Sequence, residues 1–260
     1  MRNRILGLCV VVCLCTGVLI GLDGQKASAQ VAAEKPTVYT FVMEWDVPRA
    51  MWGDYEKQMA TTSGDTLKKS VDDGTLIAYG MFSTVTHQEG AANHGTWMTS
   101  SSIANLMKVL DVLRASPAST SPVVSASKHW DFLLSSKDYA AHSGTFTNGY
   151  LRVATWIGKE GANDPGGKIE KASMVALCEK LMADGALHAY SIDREVVHSM
   201  DANAFFVVLV TNGAEGLDKF SAAVDDMGKN NPTALAAFRS LIADTGHRDT
   251  IAKVTTTTHK

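Results

Sequence analysis

The sequence predicts an α+β protein: two tandem βαββαβ units whose sheets close into one barrel within a single chain. Three observations carry this expectation. Asp73-Gly74-Thr75-Leu76-Ile77-Ala78-Tyr79 returns 111 residues later as Asp184-Gly185-Ala186-Leu187-His188-Ala189-Tyr190. The same offset lays Tyr39 on Tyr150, Trp45 on Trp156 and His87 on His198 without a gap, which marks an internal repeat. Between those landmarks, strand-period and helix-period apolar patterns alternate in the same order in both halves.

The first residues stand apart from the fold. Arg2 and Arg4 precede the apolar run Ile5 to Leu22, and Ala27-Ser28-Ala29 has the small-x-small pattern of a signal peptidase site. Residues 1–29 are therefore expected to be a signal peptide cleaved after Ala29, giving a secreted or periplasmic protein. A retained membrane anchor is the alternative, since the run is just long enough to span a bilayer. With the leader gone, no later stretch is long and apolar enough to cross a membrane. Cleavage removes Arg2, Arg4, Lys26 and Asp23 and moves the net charge from −3 to −5. A mildly acidic chain has no electrostatic footprint for nucleic acid or anionic lipid. Three of the four cysteines leave with the leader, so Cys178 has no internal disulfide partner. Its apolar helical surroundings predict a buried structural thiol.

Residues 30–36 form a short polar lead, residues 37–135 the first unit, residues 136–148 a polar linker and residues 149–260 the second unit. In the first unit, Val38 to Asp46 reads as a strand with two apolar faces, one being Tyr39, Phe41, Met43 and Trp45, the other Val38, Thr40, Val42 and Glu44. Pro48 suits a helix start, and Met51, Tyr55, Met59, Leu67 and Val71 form a stripe, interrupted near Ser63-Gly64, up to Asp73-Gly74. Leu76 to His87 and His94 to Thr99 form a hairpin. Serines 100–102 offer an N-cap for a helix carrying Ile103, Leu106, Leu110 and Leu113 on one face. Ala115 to Pro122 is a turn segment, and Val123 to Leu134 is expected as the fourth strand.

The second unit repeats the order with strand Gly149 to Ile157, helix Lys168 to Ala183, hairpin Leu187 to His198 with Ala204 to Thr211, a helix striped by Leu217, Phe220, Val224 and Met227, and last strand Thr250 to Thr257. It adds a helix beginning at Asn231-Pro232. Each half has the order of a ferredoxin-like unit, whose helices cover one face of the sheet. The bare face is expected to be the aromatic one, Tyr39 to Trp45 with Tyr150, Arg152, Ala154 and Trp156, and it needs covering. Two copies closing sheet on sheet would cover it.

This pattern resembles the dimeric α/β-barrel superfamily, which includes the antibiotic-biosynthesis monooxygenase-like, EthD-like and stress-responsive barrel families. The resemblance covers roughly residues 37–257 and rests on element order and repeat. It implies a ligand, where there is one, between the sheet and its helices or within the barrel. One subgroup, the haem-degrading monooxygenases, uses an Asn on the first strand, a Trp on the third and a His on the following helix. Only Trp97 has a counterpart in place, so the resemblance does not extend to haem degradation.

The candidate ligand-binding residues are Tyr39, Trp45, His87, Trp97, Tyr150, Arg152, Trp156, Arg194 and His198. His87 and His198 are repeated at the end of the second strand, where an imidazole can act as base or ligand or simply cap the hairpin. The recurring aromatic rows are core or the walls for a flat apolar ligand. Arg152 and Arg194 each require an anion, from a ligand or from Glu44, Glu195 or Asp193. His87 and His94 flank a loop, but nothing completes a ligand set and no metal is expected. No Gly-x-Gly-x-x-Gly, Walker, Gly-x-Ser-x-Gly or His-Glu-x-x-His sequence occurs, and no cofactor is expected. Three functions follow: a binder of a small apolar or aromatic molecule, a cofactor-independent monooxygenase or isomerase using His87 or His198, or a structural or stress-associated protein with a filled barrel. Homo-oligomerisation is left open.

Overall fold

The structure, a computed structural model, describes residues 35–88, 90–164 and 167–260. The predicted leader and its cleavage site lie outside the described residues.

The first unit begins with β1 (Val38–Asp46), followed after Pro48 by α1 (Trp52–Gln58), a π turn over Met59–Ser63 and α2 (Gly64–Asp72). The expected break at Ser63-Gly64 is thus one turn of wider helix rather than a gap. Gly74, at φ +83°, takes the left-handed conformation that ends α2 and turns the chain into β2 (Ala78–Thr84). β3 (His94–Ser100) completes the hairpin, and the Ser102 hydroxyl accepts from the Asn105 N–H to cap α3 (Ile103–Ala115). α4 (Pro122–Ala126), β4 (Lys128–Ala141) and β5 (Gly144–Phe146) follow.

The second unit runs β6 (Tyr150–Ile157), α5 (Lys168–Glu170), a π turn over Lys171–Val175, α6 (Ala176–Ala183), β7 (Leu187–Glu195) and β8 (Ala204–Thr211). Gly185, at φ +67°, does for α6 what Gly74 does for α2. α7 (Ala214–Asn230), α8 (Pro232–Arg239) and β9 (Arg248–His259) complete it, with the Asn231 side chain accepting from Ala234 N–H to cap α8.

Hydrogen bonding orders the strands β2-β3-β1-β4 in the first unit and β7-β8-β6-β9 in the second, the same ferredoxin-like arrangement twice. The units join edge to edge: β4 pairs antiparallel with β7, and β9 with β2. Eight strands therefore close with no free edge, and short β5 adds to the end of β9.

Three expectations are corrected. Val123 starts no strand, because Ser121 caps and Pro122 opens the short helix α4. The stretch expected as a polar linker, residues 136–148, is largely strand: β4 continues to Ala141, and Ser136 to Ala141 pair with Asp193 to Ala189 of β7. Polar side chains suffice there because the stretch is needed for its backbone, which closes the barrel.

The third correction concerns which face is covered. Phe41, with Tyr39 and Met43 beside it, packs under the helices with Leu67, Val71, Leu106 and Leu110, and Trp45 packs near Tyr55. Ala154 and Trp156 join Leu177, Leu181 and Phe220 in the equivalent core of the second unit. The barrel interior takes the other set, including Val38, Thr40, Val42, Leu151 and Val153. An eight-stranded barrel is just wide enough for modest side chains or for one small ligand. Rows of Tyr, Phe, Met and Trp from both units would overfill it, whereas the helix layer has room for them.

Candidate functional site

Inside the barrel lies a cavity of about 580 Å³. Strand alternation builds its wall: Ala78 and Phe82 of β2, Trp97 and Thr99 of β3, Ser191 and Asp193 of β7, and Phe206 and Val208 of β8 all point inward. Trp97 fits because its β2 neighbour is Gly80, where any Cβ would overlap the indole. Gly95 likewise leaves space for the ring of Phe82. The lining is largely apolar, with Phe132 and Phe206 at 6.5 Å and Phe82 and Trp97 at 6.1 Å between ring centroids.

Two carboxyls face this space. Asp193 is buried, and the Ser191 hydroxyl donates to its Oδ2 at 2.8 Å. Its Oδ1 is buried with no hydrogen-bond partner. The nearby Ser136 hydroxyl donates to the Ile192 carbonyl at 2.8 Å. Loss of hydration pushes the Asp193 carboxyl up to about 7, more than Ser191, Ser136 and the charge of Arg194 pull it down. Glu44 is also raised by burial, against the attraction of Arg248.

At the β9 end of the barrel, His259 lines the cavity with its ring 5.5 Å from that of His188. Burial and then His188 push His259 down to about 4, and burial lowers His188 as well. His188 stacks on Phe146 at 4.4 Å. Both shifts favour the neutral imidazole.

The candidates named from sequence scatter. Trp97 lines the barrel cavity. Tyr39, Trp45, Tyr150, Arg152 and Trp156 share the outward parity, toward the helix layer. Arg152 pairs with Asp249 at 2.8 Å and lies over the Phe220 ring, and Arg194 pairs with Glu170 at 2.7 Å. Their anions come from β9 and α5, not from Glu44, Glu195 or Asp193 as expected. The strands β2 and β7 stop before His87 and His198, which are exposed in the following loops. The rings of His87 and His94 both pack against Trp52, at 5.0 and 5.2 Å between centroids. Among the described residues no group of three or more His, Cys, Asp or Glu side chains is placed to hold a metal ion.

Asp193 is the group that sequence reasoning undervalued. The signal was present in Ala189-Tyr190-Ser191-Ile192-Asp193, where small or polar residues alternate with large apolar ones. That alternation is what a strand with one face toward a cavity and the other toward a core shows. A second cavity, of about 310 Å³, lies in the first unit between sheet and helices, lined by Trp45, Tyr55, Met59, Arg114, His129 and Asp131.

Fold and cavity together define a dimeric α/β barrel built within one chain, with an open interior. Solved structures share this fold. A candidate monooxygenase from Fusobacterium nucleatum subsp. nucleatum ATCC 25586 is 9% identical, with a TM-score of 0.61 over 87% of this chain and 95% of that one. A candidate monooxygenase from Lactobacillus acidophilus NCFM is 8% identical, with a TM-score of 0.57 over 86% and 96%. An anthrone oxidase-like protein is 12% identical, with a TM-score of 0.50 over 87% and 94%. No protein-family model and no curated protein sequence matches the chain.

Proposed function

We propose that this protein binds a small, largely apolar molecule of aromatic size inside its barrel. The carrying observation is the cavity of about 580 Å³, whose wall is largely aromatic and branched apolar side chains with polar groups set among them. That size and lining are typical of small-molecule sites. The names of the solved structures, two candidate monooxygenases and an anthrone oxidase-like protein, are in keeping with a barrel that handles such molecules. A filled, purely structural barrel fits the open interior poorly. The reading includes export: cleavage after Ala29 would deliver the barrel outside the cytoplasm, and N-terminal sequencing of the mature protein tests it.

Titration with indole and naphthalene derivatives, followed by Trp fluorescence and calorimetry, tests binding. Val153→Trp, which fills the cavity, should abolish binding while the circular dichroism spectrum is kept. Equal binding by the filled variant refutes the reading.

A second reading, proton-transfer chemistry without a cofactor, is favoured by Asp193, whose carboxyl is held near neutrality. His87 and His198, outside the cavity, no longer serve it. Exchange of solvent deuterium into a bound anthrone, lost in Asp193→Asn, is its test.

A further inference from the structure

Among the described residues lining the barrel cavity, Asp193 is the one whose side chain has a buried polar atom without a hydrogen-bond partner. Arg248 lies where its charge acts on Glu44. Lys35 reaches Glu179 at 3.5 Å and the Tyr139 carbonyl at 2.6 Å. The Lys260 ammonium lies beside Gly74, where its charge acts on Asp73. The remaining lining carboxyl, Asp193, faces Ser191 with one oxygen, and its other oxygen has no partner. Arg194, its chain neighbour, is committed to Glu170 on the opposite side of the sheet.

A buried carboxylate without a counter-ion is costly, and a donor that completes it is favoured correspondingly. The same cavity is walled by the rings of Phe82, Trp97, Phe132 and Phe206, the last at the strand position paired with Asp193. Aromatic faces attract cations, and the attraction strengthens where water is excluded. An oxyanion or an organic acid placed beside Asp193 meets a like charge instead. The Ser191 hydroxyl donates to Asp193 and the Ser136 hydroxyl to the Ile192 carbonyl, so neither is free to hold a second negative charge beside Asp193.

We propose that the ligand of the barrel is a small organic cation, a protonated amine on an aromatic body, with Asp193 as its counter-ion. This rests on the cavity-binding reading and adds a charge to it. The ammonium donates to Asp193 Oδ1, and its ring takes the space between the aromatic walls. Glu44, which already feels the charge of Arg248, is not the counter-ion.

Calorimetry at pH 8.5 with 2-phenylethylamine, 2-phenylethanol and 3-phenylpropionate separates charge from shape. The amine should bind at least about tenfold more tightly than the alcohol, and the carboxylate should not bind, as expected for one charge-assisted contact in a dry site. Asp193→Asn should bring amine and alcohol to within about threefold of each other, a residual difference too small for a buried ion pair. Loss of all binding in Val153→Trp places the event in the barrel. An alcohol that binds as tightly as the amine overturns the inference and leaves the cavity reading standing. An amine preference that survives in Asp193→Asn also overturns it. Failure of all three probes together with the indole and naphthalene panel overturns both.

Discussion

Replacing Asp193 by Asn isolates the cost of keeping a carboxyl on a dry barrel wall. The ordinary value for this carboxyl is 3.8, and burial raises it to about 7. Between those values the folded protein holds a proton that the unfolded chain has released. Stability therefore falls as pH rises from about 4, and levels off above about 7, the reverse of the behaviour of a salt-bridged Asp. A shift of about three pH units at 1.36 kcal/mol each amounts to about 4 kcal/mol. Asn has nearly the same shape and no titration, so terms independent of pH cancel when the two proteins are compared across pH. The gap in unfolding free energy between Asp193→Asn and the parent should thus move by about 4 kcal/mol in favour of the variant between pH 4 and pH 8.5. For a chain of this size that corresponds to roughly 10 °C in Tm. Urea unfolding at both pH values reads the free energies. A gap that changes by less than about 1 kcal/mol would mean that Asp193 is solvated or paired, and the reasoning about its burial would fail.

Other perturbations test separate parts of the structure. Gly80→Val would drive its side chain into the Trp97 ring, and should cost about 1–3 kcal/mol by overpacking, measured as a lower Tm. Cys178 is fully buried and its thiol is pushed up to about 12, so it should resist thiol reagents in the folded protein at pH 8 and react only in denaturant. Tyr190→Phe removes the hydroxyl that donates to Glu179 at 2.6 Å, and should cost about 1–3 kcal/mol in urea unfolding.

The repeat was legible because helix stops and hairpins recur in one register, and β8 falls on the very residues expected, Ala204 to Thr211. The choice of face was not legible. Both sides of β1 are apolar, and period two separates them without saying which one the helices cover. The closing half of β4 was hidden for another reason. Ser135, Ser136 and Asp138 earn their place through backbone pairing to β1 and β7, which side-chain pattern does not report. The loop histidines attracted notice by being repeated, whereas Asp193 did not, since its equivalent in the first half is Phe82. Recurrence reveals what two units share, and a site built in one unit alone is what it conceals.

That difference between the units has a structural logic that can be tested. In the first unit Phe82 of β2 pairs with Gly95 of β3; in the second, Asp193 of β7 pairs with Phe206 of β8. The offset of 111 residues maps 82 to 193 and 95 to 206, so the aromatic ring has moved from one strand of the hairpin to the other. At this paired position each hairpin thus puts one ring into the barrel, and in the second the vacated place carries the carboxyl. Asp193→Phe alone would set two rings side by side where one fits, and should cost about 1–3 kcal/mol beyond any gain from losing the buried charge. Phe206→Gly alone opens a void and should cost about 3–5 kcal/mol. The double variant restores the Phe–Gly pairing of the first unit, so its cost should be at least about 2 kcal/mol less than the sum of the two single costs, a coupling expected only for side chains sharing one space. It should also lose the pH-dependent term and the preference for an amine, since the carboxyl is gone. Additive single and double variants would show that Asp193 and Phe206 do not compete for the same volume. The carboxyl would then owe its position to something other than the ring beside it.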